Sequence, residues 1–195
     1  MNADERKSFA AFLRPERLEE PPRSLAGLAD RKALRVNAGA PASDIEAIRH
    51  VTESAFARPD EADLIDQLRC DGDVLLSLVV EVQEQIVGHI LFTRMCVENT
   101  PAAALAPMSV LPEFQNRGIG GQLIREGLRI LRERGERIVI VLGHEHYYPR
   151  FGFSTEAARN FESPFPPESY MAMELSPGAL DGVRGKVRYP AAFGL

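Results

Sequence analysis

Cysteine is scarce in this sequence: two in 195 residues, Cys70 and Cys96. No close pair exists, so neither a metal knuckle nor a dithiol redox motif is available, and two free thiols of a reducing compartment are the plain reading. Lysine is scarce too beside arginine, three against twenty. Basic charge as a whole falls short of acidic, 23 against 28, for a formal net charge of −5. That balance weighs against a nucleic-acid partner, which needs a basic face. No apolar run approaches the length of a membrane span. The first residues include Asp4 and Glu5 and no apolar stretch of a secretory signal. Internal repeats and low-complexity tracts are missing too. The expectation is a soluble, cytoplasmic protein with no nucleic-acid and no membrane partner.

What remains is enough for one domain with a full core, since 45% of the residues are apolar. Arginine in place of lysine fits a GC-rich bacterial genome. Residues 1–32 are charged, carry Pro15, Pro21 and Pro22, and read as an N-terminal extension with a short helix around SFAAFL. Residues 33–195 read as the domain. ALRVNAG (33–39) is a strand. PASDIEAIRHVTESAF follows as a helix, with Ser43 at its cap, Glu46 three residues on, and Ile45, Ile48, Val51 and Thr52 on one face. EADLIDQLRCD is a second helix with Leu64, Ile65 and Leu68 inward. Strands follow at 74–82, 86–97 and 102–111, the first two joined by a tight hairpin at QEQ. A helix then runs to about Arg134, striped by Ile119, Leu123, Ile124, Leu128 and Leu131 and closed by Gly135. RIVIVLG (137–143) is apolar throughout, as a strand buried on both faces should be. A short helical turn in HEHYYPRFGF and two late strands, at 171–175 and 185–190, complete a mixed α/β order with one parallel crossover.

The stretch EFQNRGIGGQLI (113–124) puts three glycines and an arginine where that long helix begins. A helix start exposes unpaired N–H groups and partial positive charge, and glycines let a ligand approach the backbone. An anion, in all expectation a phosphate, belongs there. A nucleotide-triphosphate loop needs Lys and a hydroxyl after the last glycine, but Gly121 and Gln122 stand there. A dinucleotide fingerprint needs a third glycine where Leu123 stands.

The spacing Val110-x-Pro112-x-x-Gln115-x-x-Gly118-Ile119-Gly120 resembles the acetyl-coenzyme A signature of the Gcn5-related N-acetyltransferases. Tyr148-Pro149-Arg150-Phe151-Gly152-Phe153 resembles the Tyr-x-x-x-Gly-Phe segment of the same family. The resemblance covers about residues 33–190. Tyr147-Tyr148 and the ending GKVRYPAAF resemble the YhbS-like bacterial branch. The fold so implied is a mixed, mostly antiparallel sheet of six to seven strands. It has helices on both faces and a central splay between strands 4 and 5.

The resemblance implies a set of roles. Acetyl-coenzyme A is the co-substrate, held by Met108, Val110, Gln115, Asn116, Arg117, Gly118, Ile119, Gly120, Gly121 and Tyr148, with no metal. The backbone N–H of Val110 faces the acetyl carbonyl, and Ser109 either adds to that site or faces the core. Tyr148 is the general acid for the leaving thiolate; a phenol has a reference pKa of about 10, close enough to a thiol for proton exchange. Tyr147 is its competitor, about 100° away on a helical turn.

His144 is a candidate base, with a reference pKa suited to the work. Here the chain departs from its resemblance, because His144-Glu145 replaces the Asp-Pro usual at that point. His144-x-His146 as a metal pair lacks a third ligand. His50 and His89 read as structural. The acceptor pocket is expected on the long loop 158–170, walled by Phe161, Phe165 and Tyr170, with Glu162 or Glu168 attracting a cationic amine; the plain alternative is a loop that closes the sheet edge.

Two functions follow from these residues. One is an enzyme that moves the acetyl group to a primary amine of a small molecule or peptide by direct attack in a ternary complex. The other is a coenzyme-A-binding sensor with little catalysis. The presence of Tyr148 favours the first. A homodimer stays open.

Overall fold

The computed structural model describes residues 32–37 and 42–195. The expected extension, its helix and residues 38–41 lie outside the described residues. Strands β1 (Lys32–Asn37), β2 (Val74–Val82), β3 (Gln85–Val97), β4 (Thr100–Val110), β5 (Ile138–Leu142), β6 (Phe161–Glu162), β7 (Tyr170–Glu174) and β8 (Gly185–Arg188) alternate with helices α1 (Ala42–Phe56), α2 (Asp60–Asp71) and α3 (Ile119–Glu133). The hydrogen-bonded order is β1-β2-β3-β4-β5-β7, with β8 against β3 and β6 against β8. Ser43 falls inside the first turn of α1 instead of before it.

The chain forms two compact units, each continuous through parts of β3 and β4: Arg94–Leu105 with Ile130–Leu195, and the described part of Arg17–Thr93 with Ala106–Arg129. In the second unit, β1, β2 and β3 pair antiparallel. Val82 opposite Gln85 leaves a two-residue turn, and Gln83 and Glu84 both take positive φ (50° and 67°), which a hairpin of this length requires. Alternate residues of β3 face opposite helices. A Cβ on Gly88 would stand 2.8 Å from Ile119 Cγ2 of α3, while the next residue, His89, faces the charge of Arg69 on α2. On the α3 side, the Phe92 ring abuts Gly127, where a Cβ would come within 2.3 Å of it. Glycines on both partners thus let α3 lie close along β3.

In the first unit, β5 pairs parallel with β4 and antiparallel with β7, so both its edges are bonded. Its residues Ile138–Val141 are at most 1% exposed, as the unbroken apolar run demands. Met95 and Val97, Ala102 and Ala104, Ile138 and Ile140, Tyr170 and Ala172 recur at every second position and close one core. The parallel register of β4 with β5 covers Ala103↔Val139 to Leu105↔Val141, and β4 continues to Val110 beyond it. A single bridge joins Ser154 to Ala172, and the short helical turn expected in HEHYYPRFGF is a 3₁₀ turn at Tyr148–Phe151. Pro149 in its first turn and Gly152 at φ 99° directly after it leave no room for more than four residues.

Candidate functional site

The glycine loop is built by the end of β4. The Leu111 N–H donates to the Val87 carbonyl at 2.9 Å, and residues Pro112–Phe114 make a single 3₁₀ turn. The Gln115 side-chain amide donates to the Val110 carbonyl at 3.0 Å, which ties the loop to the last residue of the strand. Asn116 and Gly118 then take positive φ, 58° and 76°. Asparagine and glycine are the residues that reach this region at least cost. The first helical bond runs from the Gln122 N–H to the Gly118 carbonyl at 3.0 Å. The N–H groups of Ile119, Gly120 and Gly121 therefore precede the first intrahelical bond and sit at the positive end of the α3 dipole.

No acidic residue stands in the first turn of α3. A Cβ built on Gly118 would meet nothing within 4 Å. The loop is exposed from Asn116 to Gly118 and buried from Ile119 to Gly121, and the partial positive charge of the helix start at its exposed end fits a phosphate. Arg117 is exposed, with its guanidinium 5.3 Å over the Phe114 ring. Met108 is half-buried and Val110 buried. Ser109 is 2% exposed and shares a 3.2 Å hydrogen bond with Thr52 of α1, whose hydroxyl donates to the Ile48 carbonyl at 2.8 Å. Ser109 thus faces the core and fastens α1 to the strand that ends at Val110.

Tyr148 is placed by β5. The strand ends at Leu142, and Gly143 donates its N–H to the Ser169 carbonyl at 2.9 Å. The Tyr147 N–H returns to the His144 carbonyl at 3.0 Å. The Tyr148 ring then folds back over Gly143: a Cβ there would stand 2.1 Å from Cε2 and 2.6 Å from Cδ2. Tyr147 and Phe153 hold the ring edge-on, at centroid distances of 5.1 and 5.8 Å and interplanar angles of 80° and 83°. Tyr147 goes elsewhere, with the Arg150 guanidinium 4.0 Å over its ring. The two adjacent tyrosines are therefore distinguished: one buried ring seated on backbone, one half-buried ring under an arginine.

His144 is half-buried, and its Nε2 is buried without a hydrogen-bond partner. Glu145 and His146 are exposed and lie 3.4 Å apart. Among the described residues no group of three or more His, Cys, Asp or Glu could hold a metal ion. No helix among them is long and apolar enough to cross a membrane.

The loop 158–170 spends its rings on packing. Phe161, Phe165 and Tyr170 are 9%, 9% and 3% exposed and belong to the core of their unit. Phe165 stacks on Tyr170 at 6.1 Å and meets Tyr189 edge-on at 6.0 Å. Burial pushes the Tyr170 phenol up to about 12, and the Tyr189 phenol, which donates to the Tyr170 oxygen at 3.3 Å, well above its ordinary value. These rings anchor the loop; Glu162 and Glu168 are its exposed acids.

A polar cluster under α2 carried no motif in the sequence. His89 is fully buried, with Nε2 2.9 Å from the Ser77 hydroxyl and Nδ1 unpartnered. Burial, and then the Arg69 charge, holds its pKa down at about 3. Arg69 itself is pulled below its ordinary value by burial, despite its 3.2 Å bond to Asp66.

The family model described as an acetyltransferase (GNAT) domain matches residues 74–155. The uncharacterized N-acetyltransferase YjhQ of Escherichia coli K12 is 42% identical over 138 residues, 67% of this chain and 76% of that protein. The uncharacterized N-acetyltransferase YhbS of the same organism is 32% identical over 155 residues, 77% of this chain and 93% of that one. The crystal structure of Escherichia coli YhbS in complex with CoA superposes with a TM-score of 0.78 at 30% identity, covering 85% of this chain and 93% of that chain. A GNAT family acetyltransferase from Brucella melitensis in complex with acetyl-CoA superposes with a TM-score of 0.70 at 35% identity, covering 84% and 98%.

Proposed function

The chain belongs to the GNAT family of N-acetyltransferases, and on that premise we propose that it transfers the acetyl group of acetyl-CoA to a primary amine by direct attack in a ternary complex. The observation that carries the reading is the exposed Gly118, with nothing within 4 Å of its Cβ position, at the head of a helix without a first-turn carboxylate. The pyrophosphate of the co-substrate is read onto the N–H groups of that helix start, where dipole and hydrogen bonds act together. Arg117 is released from Phe114 to add a charge-assisted bond. Gln115 works from behind, holding the loop to Val110. The acetyltransferase domain is taken as residues 33–195.

In the reaction the neutral amine attacks the thioester carbonyl. The C–N bond forms, and the oxyanion accepts a hydrogen bond from the Val110 N–H. Collapse breaks the C–S bond; Tyr148 gives its proton to the departing thiolate, and the proton shed by the newly acylated nitrogen restores the phenol. His144, two residues past the end of β5, is read as taking the proton that the ammonium must lose. The acceptor is read as cationic, drawn by the exposed Glu162 and Glu168.

A screen for thiol release from acetyl-CoA with polyamines, amino acids, aminoglycosides and peptide N-termini tests the assignment. Amine-dependent thiol release, absent in Tyr148→Phe, is expected. Tight coenzyme A binding with no amine-dependent release would leave a sensor instead.

A further inference from the structure

We infer that Gly143 is a positioning residue for the reaction: its missing side chain is the seat on which the Tyr148 ring is held. The inference rests on the assignment of Tyr148 as the general acid. Gly143 is the first residue past β5, and its φ is not positive, so no backbone strain demands glycine there. What demands it is the ring. A Cβ at 143 would lie 2.1 Å from Cε2, 2.6 Å from Cδ2 and 3.1 Å from Cζ of Tyr148, against 3.4 Å or more for an ordinary contact.

Three features keep the ring from yielding. The Phe153 edge blocks one direction and the Tyr147 edge another. Gly143 itself is pinned, because its N–H donates to the Ser169 carbonyl at 2.9 Å. The phenol is thus fixed by a rigid strand end and two crossed rings, and a methyl group at 143 must push it by more than an ångström. A proton donor displaced that far loses its alignment with the leaving sulfur, and a misplacement of about 1 Å costs on the order of 10² in rate.

The test compares Gly143→Ala, Tyr148→Phe, Tyr148→Leu and the doubles, using acetyl-CoA and the best amine of the panel. Gly143→Ala is expected to lower kcat about a hundredfold with KM for acetyl-CoA unchanged. Placed on Tyr148→Phe it should add no further loss, because the acid is already gone. Fold is read separately by melting. Gly143→Ala should destabilise the native protein but not the Tyr148→Leu variant, whose smaller side chain leaves the space. If Tyr148→Phe is fully active, the general-acid reading fails. If Tyr148→Phe is inactive but Gly143→Ala keeps native kcat, the seat alone is refuted. A Gly143→Ala cost that persists in full on Tyr148→Leu also refutes it, since the ring would then not be what Cβ meets.

Discussion

Lowering the pH from 7 to 5 should cost this protein about 2 kcal/mol of stability through one side chain, His89. The imidazole is fully buried, and burial first and the Arg69 charge second hold its pKa at about 3, against 6.5 when free. The native state therefore keeps His89 neutral where the unfolded chain protonates it. A base whose folded pKa is depressed contributes fully above pH 6.5. That contribution drains away as pH falls through the window down to about 3. The gap of about 3.5 units, at about 1.36 kcal/mol each, corresponds to roughly 5 kcal/mol across the whole window. Between pH 7 and 5 the share lost is about 2 kcal/mol, a large part of the 5–15 kcal/mol that a typical domain has.

The check is urea unfolding at pH 7, 6 and 5 for the native chain and for His89→Gln. Glutamine keeps an amide for Ser77 and does not titrate. The variant starts less stable at pH 7, but its stability should fall less steeply, so that the two curves converge by about 2 kcal/mol at pH 5. With a urea slope of about 2 kcal/mol per molar, that is about 1 M in relative midpoint. Arg69→Leu should keep most of the native slope, because burial is the larger cause. Parallel curves for the native chain and His89→Gln, or an imidazole resonance of His89 titrating near 6.5 in the folded protein, would refute the reasoning.

Tyr148→Phe should lower kcat and kcat/KM for the amine by a similar factor, on the order of 10²–10⁴, with acetyl-CoA affinity unchanged by calorimetry, while Tyr147→Phe keeps most activity. Gly118→Asp should weaken acetyl-CoA binding at least tenfold, about 1.4 kcal/mol, by setting a carboxylate against the pyrophosphate. Its fold should survive, since nothing lies within 4 Å of the new Cβ, and the strained φ of 76° adds only about 1–2 kcal/mol. Phe165→Ala removes a core ring and should cost about 3–5 kcal/mol in chemical unfolding; unchanged stability with altered amine preference would return that ring to the acceptor pocket.

The fold was legible wherever one period ruled. The apolar run of β5 and the alternating strands before it follow from burial on one face or two, and the stripe of α3 marks its helix. The helix start was legible because a glycine reaches the positive φ before a helix at least cost. Legibility ended where a side chain's neighbours come from distant sequence. Phe161, Phe165 and Tyr170 look the same in a string whether they wall a pocket or fill a core, and the structure packs them inward. His89 reads as any histidine in a strand until Ser77, twelve residues earlier, and Arg69 on α2 are brought beside it. Ser109 is decided by Thr52 of α1, 57 residues away.

The glycines separate these two kinds of information. Gly118 announces itself, because a positive φ before a helix is local chemistry. Gly88, Gly127 and Gly143 do not take positive φ. Inside strands and helices a glycine costs about 0.5–1 kcal/mol relative to alanine, so Gly88 and Gly127 need a reason from elsewhere in the chain, as does Gly143 just past β5. Here the reasons are close approaches: Ile119 against Gly88, Phe92 against Gly127, Tyr148 against Gly143. The first two fix where α3 begins along β3, and hence where the backbone proposed for the phosphates is presented. The third fixes the phenol proposed to protonate sulfur. An alanine at any of the three must displace the group that occupies its Cβ position: Ile119, Phe92 or the Tyr148 ring.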